Sequence, residues 1–111
     1  MESKRQEKIA KLLQQDLSDI FRLKSRSLGG AMITVTKVSV TPDLGLAKVF
    51  VSIFATKSKE DTLNLIEQHN KEIRYELGKR VRNQLRVIPE LRFYEDDSLD
   101  YIENIESLLK D

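Results

Sequence analysis

The sequence predicts a two-layer α+β domain in which helices cover a three-stranded sheet, in the order αββααβ, followed by a short C-terminal helix. Three observations carry that prediction. Apolar residues recur every three or four positions over residues 3–22 and again over 59–86, the period of an amphipathic helix. Two β-branched runs lie between them, separated by a Pro-Asp-Leu-Gly turn. After Pro89 the apolar period drops to two.

In the first helix, Ile9, Leu12, Leu13, Leu17, Ile20 and Phe21 form the apolar stripe, and Lys4, Arg5, Lys8 and Lys11 crowd its first turns. Cations there oppose the helix dipole, so an external anion would relieve a local conflict; a merely solvated face reads equally well. Residues 23–30, LKSRSLGG, form a loop ended by two glycines suited to a left-handed turn. The run Ile33–Val40 is a strand whose alternation slips, and a bulge near Thr36–Lys37 would bring Ile33, Val35, Val38 and Val40 to one face. In the turn Thr41-Pro42-Asp43-Leu44-Gly45, Pro presets φ while Asp and Gly tolerate the remaining angles. Leu46–Phe54 alternates cleanly, with Ala47, Val49, Val51 and Ile53 inward and Lys48, Phe50, Ser52 and Phe54 outward.

Ser58 and Asp61 can cap the long helical stretch. Unbroken from 59 to 86 it would measure ~42 Å, longer than the ~34 Å diameter of a compact domain of this size. A break is therefore expected at His69-Asn70-Lys71, where the apolar stripe is interrupted, with the second helix running on to about residue 86. Leu91 and Phe93 alternate with Glu90, Arg92 and Tyr94 in a third strand. Asp97 or Ser98 can cap a last helix packed through Tyr101, Ile102, Ile105, Leu108 and Leu109.

Length and composition narrow the function. The 111 residues suit one domain, 1–111, with no internal repeat or linker. There is no cysteine, hence no disulfide, and no apolar run reaches the ~18 residues of a membrane span, so a cytoplasmic protein is expected. The net charge of +1 hides a segregation of sign. Residues 1–30 hold seven Lys/Arg against four Asp/Glu, residues 71–92 seven against three, and residues 93–111 one against seven. Clustered cations of this kind are compatible with a nucleic-acid partner whatever the total.

Catalytic and metal chemistry find little to stand on. His69 is the only histidine, and on a polar stretch of helix it reads as a solvated or kink residue. Gly29, Gly30, Gly45 and Gly78 fit no phosphate-binding loop. Glu95, Asp96, Asp97 and Asp100 lack the spacing of a cation loop. No enzyme, cofactor or metal site is expected.

Nucleic-acid binding fits better. Lys71, Lys79, Arg82 and Arg86 recur at i, i+8, i+11 and i+15, so a helix would show them on one side, the arrangement phosphate oxygens select. Gly78 on that side would admit a sugar–phosphate backbone, or else serve tight helix–strand packing. Tyr75 offers a stacking plane or a hydroxyl, or else is partly buried. Arg80 and Arg92 point elsewhere by periodicity, toward pairing with the acidic tail. A competing reading is a protein-interaction module using that tail and the outer sheet face with Phe50 and Phe54.

The order αββααβ with basic helices also describes the type II KH domain, in which a GxxG loop between the paired helices clamps single-stranded nucleotides. This chain has no GxxG; His69-Asn70-Lys71 occupies that place. The runs VSVTPDLGLAKVFVS (Val38 to Ser52) and IRYELGKRVRNQLRVIPELRFYEDDSLD (Ile73 to Asp100), with Leu28-Gly29 before the first strand, resemble the bacterial ribosome-binding factor A family. The most specific part is the pattern Ile-Arg-x-x-Leu-Gly-Lys-x-Val-Arg-x-x-Leu-Arg-x-x-Pro-Glu-Leu-x-Phe.

The resemblance implies a KH-like type II, non-catalytic cytoplasmic factor, monomeric off the ribosome. Such a factor binds the small (30S) ribosomal subunit and assists late 16S rRNA maturation, including 5′-end processing, notably in cold adaptation. It implies roles for Arg74, Gly78, Lys79, Arg82, Arg86 and Pro89 in a basic helix and the turn after it. With the cations of the first helix, the expected RNA-binding set is Lys4, Arg5, Lys8, Lys71, Arg74, Gly78, Lys79, Arg82 and Arg86. The family commonly has Ala-x-Gly where this chain has His69-Asn70-Lys71, which makes Asn70 the residue expected to absorb unusual backbone angles at the kink. It commonly has Asp-Pro-Arg where this chain has Ser25-Arg26-Ser27.

Overall fold

A computed structural model describes residues 3–96. The order is α1 (Lys4–Leu23), a 3₁₀ turn (Ser25–Leu28), β1 (Met32–Val40), β2 (Leu46–Phe54), α2 (Lys59–Gln68), α3 (Asn70–Val81) and β3 (Glu90–Glu95). This is the αββααβ order of a KH-like type II fold. β1 and β2 pair antiparallel, and β3 joins β2 in parallel, so the sheet order is β1-β2-β3. The expected C-terminal helix lies outside the described residues.

Each element has a local cause. Ser3 and Gln6 form a capping box at the start of α1: Ser3 Oγ accepts from the Gln6 N–H at 3.2 Å and Gln6 Oε1 accepts from the Ser3 N–H at 2.9 Å. Two of the orphan donors that cations would aggravate are thus already satisfied within the chain. Gln6 Nε2 goes on to donate to the Val40 carbonyl at 2.9 Å, and Gln14 Nε2 to that of Val35 at 3.1 Å, tying α1 to the outer edge of β1. The register shift between Val35 and Lys37 is the bulge that the alternation demanded, and Val35, Val38 and Val40 are buried beside the half-buried Ile33. Facing them are Ala47, Val49, Val51 and Ile53 on β2 and Leu91 and Phe93 on β3, all buried. Leu13, Leu17, Ile20 and Phe21 from α1 and Ile66, Ile73, Leu77 and Val81 from α2 and α3 complete one continuous core.

Three expectations need correction. The last turns of the long helix are absent: α3 ends at Val81, where Gln84 and Leu85 both donate to the Val81 carbonyl and tighten the chain into a turn. The chain must reverse there so that β3 can run beside β2, and Pro89 disfavours helix in the residue before it. In the hairpin turn the residue with left-handed backbone is Leu44, φ 60°, rather than Asp43 or Gly45. Asp43 instead acts through its side chain, accepting from Thr41 Oγ1 at 2.6 Å and the Gly45 N–H at 3.0 Å. These bonds hold its carboxyl below the usual carboxylate range. At the break between α2 and α3, His69 carries the irregular geometry (φ −95°, ψ 7°) and Asn70 is already helical. The asparagine is used for its amide, as described next.

A candidate nucleic-acid interface between α3 and β3

One line of α3, read every fourth residue, is stitched to the segment that enters β3. Asn70 Nδ2 donates to the Leu91 carbonyl at 3.0 Å. One turn later, Arg74 donates through Nε to the Pro89 carbonyl at 3.0 Å and through Nη2 to that of Ile88 at 2.6 Å. After another turn, Gly78 lets Ile88 approach so closely that an added Cβ would stand 3.3 Å from Ile88 Cγ1. The space that Gly78 leaves open is therefore filled by Ile88, the packing role rather than the backbone-approach role. Arg74 likewise spends its guanidinium on two carbonyls and acts as a brace.

The brace forms one wall of an open groove. Its lining includes Lys71, Arg74, Tyr75, Gly78, Lys79, Arg82, Arg86, Val87 and Arg92, with Glu67 and Glu90 its only carboxylates among the described residues. Although α3 stops at Val81, the chain after it keeps Arg82 and Arg86 on the groove, so they share a side with Lys71 and Lys79 for a reason other than helical periodicity. Arg92, expected to point away, joins them because β3 is an edge strand. The basic count of residues 71–92 was the one sequence signal for it.

Cations on the opposite flank of α3 are neutralised. Arg80 Nη1 lies 3.4 Å from Asp19 Oδ2 and 3.7 Å from Asp16 Oδ1, both on α1; most of the acidic tail expected to pair with it lies outside the described residues. Lys24 Nζ is held 3.1 Å from Glu72 and 3.2 Å from Glu76. Burial pulls the Lys24 pKa down, but the hydrogen bonds and charges of the two carboxylates outweigh it, and the net shift is upward. No carboxylate pairs with Lys71, Arg82, Arg86 or Arg92 among the described residues, and all four are exposed. The Arg80 pairs, nearer the surface, contribute little to stability, so there the division matters mainly for what remains unpaired.

The other expected site residues are placed as follows. Lys4, Arg5 and Lys8 are exposed on the first turns of α1, and none lines the groove. His69 is half-buried with Nδ1 2.8 Å from the Leu65 carbonyl, inside the helix break. Lys71 stands at the groove's start, and Lys79 Nζ lies 4.8 Å from the centroid of the Tyr75 ring. On the outer sheet face, Phe50 and Tyr94 stack on one another at 5.4 Å, and Lys59 covers Phe54. No helix of the described residues is long and apolar enough to cross a membrane.

Comparison with known proteins follows the same line. The family model described as Ribosome-binding factor A matches residues 5–109. The chain is similar to ribosome-binding factor A of Christiangramia forsetii, 47% identical over 111 residues, covering 98% of this chain and 85% of that protein. It is also similar to that of Chlorobium phaeobacteroides, 44% identical over 108 residues, covering 96% and 92%. Among solved structures, the crystal structure of ribosome-binding factor A from Thermus thermophilus aligns with TM-score 0.68 at 23% identity, covering 81% of this chain and 94% of that one. A homology model of the Thermus thermophilus ribosome binding factor A, as fitted into the cryo-EM map of a 30S complex, aligns with TM-score 0.53 at 21% identity, covering 73% and 96%. At those identities the two structures speak for the fold alone. A family model spanning nearly the whole chain, and relatives near half identical along it, leave one conclusion: the chain belongs to the ribosome-binding factor A family.

Proposed function

We propose that this chain, as one unit, binds the small ribosomal subunit by laying 16S rRNA along the α3–β3 groove. In that position it assists late maturation of the rRNA, including processing of its 5′ end, as a non-catalytic cytoplasmic factor used notably at low temperature. The observation that carries the reading is the row Lys71, Arg82, Arg86 and Arg92 on one groove, which no carboxylate of the described residues pairs, while Lys24 and Arg80 on the other flank are matched by carboxylates. Each phosphate contact would release counterions and make attachment salt-dependent. The 30S complex named for the Thermus thermophilus relative supports the choice of partner.

The double substitution Arg82→Glu/Arg86→Glu tests it, because both side chains are exposed and neither makes a hydrogen bond or ion pair among the described residues. Loss of co-sedimentation with small subunits, with the thermal melt unchanged, is the expected result; undiminished co-sedimentation would remove the groove from the reading. The alternative of a protein-interaction surface on the outer sheet face has less support. Phe50 and Tyr94 already stack on each other there.

A further inference from the structure

We infer that Tyr75 is a stacking platform for one unpaired base, so that the groove selects single-stranded RNA over duplex; this rests on the groove being the RNA site. Tyr75 is 66% exposed on a regular helix, so much of its ring is open to solvent. It lies inside the groove lining together with Val87, itself 68% exposed, so the cationic groove contains an apolar patch. Phosphate alone would call for neither.

The ring is also prepared. Lys79, one turn further along α3, holds its ammonium 4.8 Å from the ring centroid. A cation over one face orients the ring and leaves the opposite face for a second π-system. Lys71 precedes Tyr75 by one turn, ~6 Å along the axis, and Arg82 follows by seven residues, ~10.5 Å at 1.5 Å per residue. Cations thus flank the ring on both sides along the direction a strand would run. In a duplex each base face is already occupied by its neighbours, whereas an unpaired base can be splayed onto an aromatic plane. Stacking of this kind tolerates any base, since every base has a π-face. The groove therefore reads strandedness more than sequence.

The test compares a single-stranded oligoribonucleotide with a hairpin duplex of equal length, by fluorescence anisotropy, for the whole chain and four variants. Tyr75→Ala should weaken single-strand binding by about 5- to 150-fold, the range of one base–aromatic stack. Its salt slope and its duplex affinity should not change. Tyr75→Phe should bind single strand within about twofold of wild type, which a lost hydroxyl contact would not allow. Arg82→Glu and Arg86→Glu serve as controls for the groove itself. If they abolish binding while Tyr75→Ala has no effect, or weakens both RNAs equally, the stacking role is overturned and the groove survives. If neither charge reversal changes binding, the groove is overturned as well.

Discussion

Replacing Arg74 separates a brace from an RNA contact. The guanidinium donates to two backbone carbonyls, of Pro89 at 3.0 Å and Ile88 at 2.6 Å, and no other described side chain is bonded to either. A hydrogen bond from a charged donor contributes about 1.5–3 kcal/mol net. Arg74 is exposed, so water competes for both bonds and each is reduced to about 0.75–1 kcal/mol, the range of an ordinary net hydrogen bond: Arg74→Ala should cost about 1.5–2 kcal/mol in all. For a domain of this size that is a fall of roughly 6–16 °C in the melting midpoint, measured by circular dichroism. Arg74→Lys should recover at most half, because one ammonium cannot reproduce the planar fork that spans both carbonyls. RNA affinity should fall through the displaced 86–89 wall, with the slope of log K against log salt unchanged. A variant that melts like wild type while its slope falls by about 0.7, one single-strand phosphate contact, would refute the brace.

Other perturbations test other parts of the structure. Leu77→Ala empties a fully buried position on α3 and should cost about 2–5 kcal/mol in a denaturant titration. Ala55 has φ 57°, so Ala55→Gly should relieve about 1 kcal/mol of backbone strain and raise the melting midpoint without touching the groove. Gly29 has φ 80°, and Gly29→Ala should cost about 1–2 kcal/mol by the same measurement. Because the folded-state pKa of Lys24 is raised, its stabilisation is complete below the unfolded value near ~10.4 and is lost as pH rises through the folded one; Lys24→Met should flatten that alkaline dependence. Asp43 runs the other way: its lowered pKa stabilises above ~3.9 and is lost on acidification through the folded value, and Asp43→Asn should remove that acid-side contribution.

The fold was legible where one residue's side of an element decides everything. Val35, Val38 and Val40 cannot share a face without an extra residue, so the bulge was forced by the pattern before any coordinates. The same logic failed at the end of α3. Leu85 stays in phase with Val81 and is buried, so periodicity could not distinguish another helical turn from a reversal that returns Leu85 to the core. What decides is the length of chain needed to bring β3 beside β2, a tertiary constraint. In the candidate site, the spacing of cations along residues 71–86 marked the groove. It could not tell Arg74, whose guanidinium is consumed by carbonyls, from Arg82, for which the described residues show no such bond. Asn70 was singled out for its backbone tolerance, and its value proved to be an amide that closes a carbonyl on β3.

The glutamines of α1 have a consequence for the life of this chain in solution. β1 is an edge strand, and an open edge is a template on which a second chain can add a strand. Gln6 and Gln14 occupy carbonyls at Val40 and Val35, two points along that edge, from the helix that also covers the core. Protection from aggregation and completion of the hydrophobic interior are thus vested in one segment. Truncation into α1 should accordingly yield aggregates through strand addition rather than a soluble unfolded chain. The helix must also dock before crowding matters, even though the residues it protects are synthesised after it.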